Sequence, residues 1–284
     1  MYHSIKEIID ICDEENKEFW QVVLESDVQE RGVTETMSME SMSKLYEAMK
    51  QADADYKPEL KSASGLAGGD GQKIHEYNEN GRNICGDFIG MVMEKAIRMG
   101  ESNACMRRIV AAPTAGSCGV IPAVFLTAQK KMKLSDEMMT HAMYVAAGVG
   151  NVIAENASIA GASGGCQAEI GSASAMAAAG LAYLQGGGTQ STANAAALAL
   201  KNMLGLACDP VCGLVEVPCV KRNVAGAVNA VTSAQMSLAG IRSAIPVDEV
   251  IDAMRRIGAE MPENIRETAK TPTALEIKKH IGAR

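Results

Sequence analysis

The hydrophobic pattern of this chain is helical from its first residues. Ser4 and Glu7 have the spacing of a capping box. Apolar residues then recur on one face as far as Val23, which is the period of an amphipathic helix. We therefore predict one helix over IKEIIDICDEENKEFWQVVLES and a second, acidic and Met-rich helix over about residues 34–53.

A polar, glycine-dense loop, PELKSASGLAGGDGQK, follows these helices and marks a predicted boundary. It separates an N-terminal helical segment, residues 1–60, from a main body, residues 61–284. A phosphate-binding loop is one interpretation, but the glycines do not fit GxxxxGK[ST], because Gln72 separates Gly71 from Lys73. A turn, or a loop that closes over a substrate, fits better.

From Ala111 onward a loop rich in Gly, Pro and Ser is repeatedly followed by a helix of small residues. The predicted helices of the body are NICGDFIGMVMEKAIRMG ending near Gly100, AVFLTAQKKMK, DEMMTHAMYVAAGVG capped by Ser135, CQAEIGSASAMAAAGLAYLQ, about 191–204, about 223–240, and a short helix from Pro246 and Asp248 to near Gly258. VCGLVEVP could form one short strand. Because strands do not alternate with helices, we predict an all-α fold: a compact bundle of small-residue-rich helices with Gly-rich connecting loops and little or no sheet.

Composition supports this fold class. Aromatic residues make up only 4% of the chain, which suits close-packed helices better than a β-sandwich. With 284 residues, 47% of them hydrophobic, the chain can build a core for one or two domains. The stretch Ile170–Leu200 carries no charge, but QGGGTQST interrupts it, so we interpret it as two buried helices joined by a loop and not as a membrane span.

Charge and cysteine usage narrow the class of protein. The net charge of −7 gives no electrostatic basis for binding nucleic acid. The acidic N-terminus MYHSIKEIIDICDEEN is not a signal peptide, and the eight cysteines are irregularly spaced, so we expect reduced thiols in the cytoplasm rather than disulfides. The last dozen residues are charged, and we expect them to be mobile.

Three cysteines lie in three Gly/Ala-rich stretches: Cys166 in ASGGCQAEIG, Cys208 in LACDPVCG and Cys219 in VEVPCVKRN. Thiolates suit iron–sulfur clusters, zinc or copper. The intervals of 42 and 11 residues contain no CxxC pair, so zinc-ribbon and ferredoxin spacings do not fit. We interpret the other five as a neighbour of the site (Cys212), a packing or pocket-lining residue (Cys118), and small buried hydrophobes (Cys12, Cys85 and Cys105).

The four histidines do not form a metal or catalytic pattern. His3, His75, His141 and His280 are widely separated, with no HExxH motif. We expect His141 to be structural, whereas His75 follows the glycine loop and could reach the site. No catalytic base can be assigned from the sequence. No lysine lies in a setting typical of a pyridoxal phosphate Schiff base, so we predict no pyridoxal phosphate.

Polar residues near the cysteines are candidates for binding substrate. We expect most of them in loops before helices, where backbone N–H groups can bind a carboxylate, whereas Arg222 and Asn223 are chosen because they closely follow Cys219 in the chain. Arg222 is the best candidate for a carboxylate contact, with a surface salt bridge as an equal alternative. The candidates are Thr114, Ser117, Asn156, Ser158, Arg222 and Asn223, and Ser163 belongs to the same group of loop residues.

Together with AAPTAGSCGVIPAVF at 111–125, these stretches resemble the alpha chain of the bacterial iron–sulfur-dependent L-serine dehydratases. The resemblance runs from about Gly65 to Arg242 and is densest from Ala111 to Asn223. It implies that Cys166, Cys208 and Cys219 bind a [4Fe-4S] cluster. Three thiolates leave one iron without a cysteine ligand, because no cysteine follows Cys219 and the tail KKHIGAR supplies none, and we expect the fourth ligand to come from solvent, substrate or a partner. Such an iron could act as a Lewis acid.

The resemblance further implies conversion of L-serine to pyruvate and ammonia. Split members of the family have separate alpha and beta subunits, and this chain resembles only the alpha part. We therefore expect a separate beta subunit, which could bring the catalytic base, and an oligomeric assembly. Two alternatives remain: a cysteine desulfidase with the same type of cluster, and a non-catalytic iron–sulfur module.

Overall fold

The fold is all-α, as the sequence predicts. The computed structural model describes residues 2–267, and within that range the regular structure consists of helices, with no strand. The helices are α1 Ile5–Glu15, α2 Phe19–Arg31, α3 Glu35–Ala54, α4 Asp70–Glu79, α5 Gly86–Ala104, α6 Val120–Met132, α7 Asp136–Asn156, α8 Gly161–Gly164, α9 Ser172–Leu184, α10 Thr189–Asn202, α11 Cys219–Leu238 and α12 Val247–Glu260. A π-helical turn, Gln167–Gly171, joins α8 to α9, and single 3₁₀ turns lie at Val211–Gly213 and Glu263–Ile265. The charged tail predicted to be mobile lies outside the described residues.

The first predicted helix is two helices. Ser4 caps α1 as expected, accepting the Glu7 N–H at 3.0 Å. However, α1 ends at Asn16, which adopts a left-handed conformation with φ 53°. This reversal of the backbone ends the helix, and α2 starts again at Phe19.

Several boundaries in the body also differ from the prediction. Helix α4 was missed, because its first turn lies in the glycine-dense loop. Gly100 does not end α5; it is a packing position, since a Cβ there would lie 3.1 Å from Cα of Val220 in α11. Gly258 likewise lies inside α12, where a Cβ would be 3.2 Å from Cα of Gly164. VCGLVEVP contains a 3₁₀ turn and no strand.

Helix α9 is the centre of the bundle. It is buried on almost every side and packs against α6, α7, α10 and α11. Its neighbours approach so closely that a Cβ on Gly180 would lie 2.3 Å from the Phe125 ring of α6. The small residues of this uncharged stretch are therefore required by close helix packing, and they hold the start of α9, where the candidate site lies, in a rigid frame.

The N-terminal helices share this core. Ile5, Ile8 and Phe19 are buried in the same hydrophobic cluster as the residues of α9. The division of the chain at residue 60 stays a prediction. Within residues 2–267, no helix combines the length and the apolar character needed to span a bilayer.

Candidate metal centre

Three separate segments bring the three cysteines of interest into one buried region. Cys166 directly precedes the π-helical turn, Cys208 lies in the irregular segment after α10, and Cys219 is the first residue of α11. None of the three is more than 7% exposed. The Gln167 N–H donates to the carbonyl of Leu206 at 3.1 Å, which ties the first segment to the second.

Cys166 and Cys208 form a coupled pair of thiols. The Cys208 thiol donates a hydrogen bond to Cys166 and thereby lowers the pKa of Cys166, with a smaller contribution from Arg222. The same interaction, together with burial, raises the pKa of Cys208. Burial raises the pKa of Cys219 to about 12, and the charge of Cys166 acts in the same direction. Cys166 is therefore the member of the set that most readily becomes a thiolate.

Arg222 faces this pair from α11. Its Nη1 donates to the carbonyl of Ala207 at 2.7 Å, and its Nη2 lies 2.5 Å from Oδ1 of Asp209. It also hydrogen-bonds Cys166. Both members of the Arg222–Asp209 pair are largely buried, so this is not a surface salt bridge. The guanidinium places positive charge beside the thiols, where it favours thiolates and anionic ligands.

Glu169 is the functional candidate that the sequence analysis missed. One of its carboxylate oxygens and the Sγ atoms of Cys166 and Cys208 all lie within 4.8 Å of one another. Burial raises the pKa of Glu169, whereas a hydrogen bond from Thr114 opposes this shift. The spacing in CQAE could have indicated this position. Glu169 is three residues after Cys166, and residues at that spacing lie on the same side of a helix.

Two of the predicted substrate residues lie in the loop before α6. Thr114 reaches Glu169, as described, and its Oγ1 is 3.1 Å from Oγ of Ser117. Ser117 is fully buried. The structure therefore brings Thr114, through Glu169, to the edge of the cysteine site.

Asn223 makes three hydrogen bonds with the backbone. Its Oδ1 accepts the Gly119 N–H at 2.8 Å, and its Nδ2 donates to the carbonyls of Gly116 and Cys219, each at 2.9 Å. These contacts hold the start of α11 against the loop before α6. A substrate contact by Asn223 stays a prediction, and the structure shows an anchoring role.

Ser158 lies in a loop as expected, whereas Asn156 and Ser163 lie in helices. Asn156 is the last residue of α7, not a loop residue, and its Nδ2 donates to the carbonyls of His3 and Val152. Its side chain thus holds the N-terminal segment. Ser158 pairs its hydroxyl with Ser163 at 2.5 Å and accepts the Ala160 N–H, so both serines are used within their own segment.

The glycine-dense loop packs beside the Cys219 segment. Ser62 donates to Oε2 of Glu216 at 2.7 Å, and Asp70 pairs with Lys221 at 2.8 Å. The buried carboxylate of Glu101 holds the same loop from α5. It accepts a hydrogen bond from Tyr56 and three backbone N–H bonds, from Gly68, Asp70 and Gly71.

The remaining cysteines differ in solvent exposure, and the described histidines make contacts of their own. Cys118 and Cys12 are buried, Cys105 is half-buried, and Cys212 is exposed. Cys85 is exposed too, contrary to the expectation of a buried hydrophobe, because it follows the fully exposed Ile84 in the loop before α5. His75 pairs with Glu94, His141 stacks on Trp20 and His3 pairs with Glu155, whereas His280 lies outside the described residues.

The donor set fits an iron–sulfur group. Three buried thiols converge, a guanidinium balances part of the negative charge that thiolates bring, and thiolate is the donor on which such clusters are built. All eight cysteines are free thiols, so none of the three is engaged in a disulfide.

Known proteins resemble this chain over nearly its whole length. Residues 14–274 match the family described as serine dehydratase alpha chain. A probable L-serine dehydratase alpha chain of Bacillus subtilis strain 168 is 45% identical, with 99% of this chain aligned to 95% of the relative. The L-serine dehydratase alpha chain of Peptoniphilus asaccharolyticus is 40% identical, over 94% and 92% of the two chains. An L-serine dehydratase of Helicobacter pylori strain 26695 is 33% identical over 98% of this chain, which spans 62% of that longer relative.

Proposed function

Because the chain belongs to the serine dehydratase alpha-chain family, we propose that it is the cluster-binding alpha subunit of an enzyme that converts L-serine to pyruvate and ammonia. The observation that carries the proposal is the convergence of Cys166, Cys208 and Cys219 in one buried region beside Arg222. We propose these three thiols as the ligands of a [4Fe-4S] cluster, and pyridoxal phosphate has no part in the proposal.

In this proposal, different side chains of the chain bind the cluster, bind the substrate and position the site. The three thiolates hold the cluster, which when bound supplies a Lewis acid for the C–O bond of the substrate. Arg222, held by Ala207 and Asp209, offers its charge to the substrate carboxylate. Asn223 fixes the start of α11 and so fixes Cys219 and Arg222 relative to the loop before α6.

A separate beta subunit completes the enzyme in this proposal. The two alpha-chain relatives match this chain over nearly their whole length, whereas the Helicobacter pylori relative is a longer protein. This is the pattern of one enzyme made either as one chain or as two. The base that removes the Cα proton is assigned to the beta subunit, because the three described histidines are engaged with Glu94, Trp20 and Glu155.

The proposal extends to cellular context and assembly. Free thiols throughout the chain suit a reducing cytoplasm. The working enzyme would contain at least one alpha and one beta chain. Residues 61–284 would form the catalytic unit, with residues 1–60 packed on it.

The test is an anaerobic assay of the reconstituted chain with its beta chain. L-Serine should yield pyruvate and ammonia in equal amounts, without consumption of an electron donor. L-Cysteine is the matched substrate: faster release of sulfide from cysteine than of ammonia from serine would favour a desulfidase. A cluster that changes its spectrum with oxygen or redox state, but supports no turnover with the beta chain present, would contradict an enzymatic role.

A further inference from the structure

We propose that Glu169 is the fourth protein ligand of the cluster, binding through a carboxylate oxygen the iron that the three cysteines leave open when no substrate is present. This inference rests on the proposed function, since it concerns the same cluster. It assigns a role to a residue of this chain that is not a cysteine.

The first support is position. The Glu169 oxygen lies within 4.8 Å of both Cys166 Sγ and Cys208 Sγ, and these two sulfurs lie within the same distance of each other. The Glu169 carboxylate is thus a direct neighbour of two of the proposed cluster ligands, and carboxylate is a ligand of iron in proteins. The π-helical turn that carries Glu169 begins directly after Cys166, and such turns occur frequently at functional sites.

The second support is the lack of a cationic partner. Within residues 2–267 no lysine, arginine or histidine forms an ion pair with Glu169, although its side chain is half-buried. Its charged neighbour is another carboxylate, Glu267, which adds repulsion. A half-buried carboxylate without a counter-charge loses part of its hydration without compensation. An iron at this position would supply the missing positive charge.

The third support is the space kept around the carboxylate. A Cβ on Gly116 would lie 3.0 Å and 3.1 Å from the two Glu169 oxygens. A Cβ on Gly161 would lie 3.1 Å from Oε2 of Glu169 and 3.2 Å from Sγ of Cys208. Both glycines thus let the backbone approach the Glu169 carboxylate closely, and Gly161 also lies beside Sγ of Cys208 and the Glu267 carboxylate. Thr114 orients the carboxylate by a hydrogen bond.

An oxygen ligand also suits an iron that must accept substrate. A carboxylate is a harder and weaker donor to a cluster iron than a thiolate. The hydroxyl and carboxylate of L-serine could therefore displace it without breaking a thiolate bond. Glu169 would protect the fourth iron between turnovers and leave when substrate arrives.

The experiment compares unaltered holoprotein with Glu169→Gln and Glu169→Ala, each reconstituted anaerobically with isotopically enriched iron. Glu169→Gln is nearly isosteric, so it keeps the fold while weakening the ligand. Glu267→Gln is the matched control, because it removes one negative charge from the same region without removing an atom that lies close to both sulfurs. Mössbauer spectroscopy reports the unique iron, and electron paramagnetic resonance reports conversion to a three-iron cluster under a chelator.

We expect both Glu169 variants to change the Mössbauer signal of one iron in four and to lose that iron at least about tenfold faster than the unaltered protein. Glu267→Gln should behave as the unaltered protein does. Adding L-serine to the unaltered protein should change the Mössbauer signal of the same single iron. The inference alone is overturned if Glu169→Gln keeps the unaltered signal and rate of iron loss. If the unaltered chain takes up no cluster, the proposed function fails and the inference fails with it.

Discussion

Asn223 accepts a 2.8 Å hydrogen bond from the backbone N–H of Gly119, a residue 104 positions earlier in the chain. This bond joins α11 to the loop before α6. A side chain on Gly119 would collide with Asn223 and with the carbonyl of Ala96, where the Cβ would be 2.6 Å from the oxygen. The contact therefore depends on both residues, and it sets where Cys219 and Arg222 lie.

Asn223→Ala should lower the free energy of unfolding by about 3 kcal/mol, because it leaves the buried Gly119 N–H and the Gly116 carbonyl without partners. Urea unfolding of the protein without its cluster measures this change. Asn202→Ala is the control: Asn202 is exposed and makes one side-chain bond, to Asn229, so its change should stay within about 0.5 kcal/mol. Equal losses in the two variants would contradict the anchoring role.

Replacing any of Cys166, Cys208 and Cys219 by Ser should abolish stable cluster binding. Anaerobically reconstituted protein should be brown and hold about four iron atoms per chain, and each of these variants should bleach. Cys212→Ser should largely keep its iron, because Cys212 is exposed in the same segment. Iron analysis and visible absorption measure the outcome. Full iron content in any of the first three variants would refute the assignment of that ligand.

The isolated chain should have little or no serine dehydratase activity, and activity should appear when the beta chain is added. The physical reason is that the three described histidines are held in contacts with Glu94, Trp20 and Glu155. Pyruvate formation with and without the beta chain tests this. High activity of the isolated chain would show that the base lies in this chain, and His75 and Lys73 would be the first residues to replace.

Glu101→Gln should loosen the glycine-dense loop and lower the free energy of unfolding by about 2 kcal/mol, because an amide cannot accept the same four hydrogen bonds as a carboxylate. Hydrogen exchange should accelerate in peptides that cover residues 62–71. Glu79→Gln, at an exposed position of α4, should change neither measurement. Unchanged exchange in Glu101→Gln would mean that other contacts suffice to hold the loop.

The Asp70–Lys221 pair should weaken in acid. Hydrogen bonds from Lys221 and then Lys73 lower the pKa of Asp70 from its ordinary 3.8 to about 2. Because the folded pKa lies below the unfolded one, the stabilisation is complete above about pH 5 and is lost as the pH falls from about 4 towards 2. The pair is partly exposed, so its contribution is at most about 1 kcal/mol.

The difference in unfolding free energy between the unaltered protein and Asp70→Asn measures this pair. It should be constant from about pH 5 to 7 and should shrink between about pH 4 and 3. A difference that grows as the pH falls would contradict the direction of the shift.

The sequence was a good guide where the pattern is local. The acidic, Met-rich composition predicted α3, and local start signals predicted the Ser135 start of α7 and the start of α12 near Pro246. The prediction misplaced the end of α5, where a tertiary contact decides the outcome, and placed the end of α12 only two residues early. Gly100 and Gly258 have the sequence signature of helix ends, but each is a place where another backbone approaches. No local pattern distinguishes these two uses of glycine.

The candidate site likewise has some residues that the sequence predicted and others that only the folded chain brings together. The cysteine stretches and their resemblance to a family pointed to three residues that the structure brings into one region. Glu169 escaped notice because a single glutamate in a helix usually faces water. Its position depends on Cys208, which is 39 residues away (208 − 169), and such proximity cannot be read from spacing. The sequence analysis named Asn223 as a substrate-binding candidate because it lies close to Cys219 in the chain. Its three hydrogen bonds with the backbone are visible only in the folded structure.

The three thiols span 53 residues of chain (219 − 166), and they meet only because the π-helical turn, the irregular segment after α10 and the start of α11 are packed together. A ribosome that has released the chain only as far as Cys208 has exposed two of the three donors. Under the proposed ligand set, iron delivery would wait until α11 has emerged and docked, whereas a short peptide loop with closely spaced cysteines can be loaded during synthesis. Excised peptides around any one cysteine should then be poor acceptors for a cluster scaffold protein.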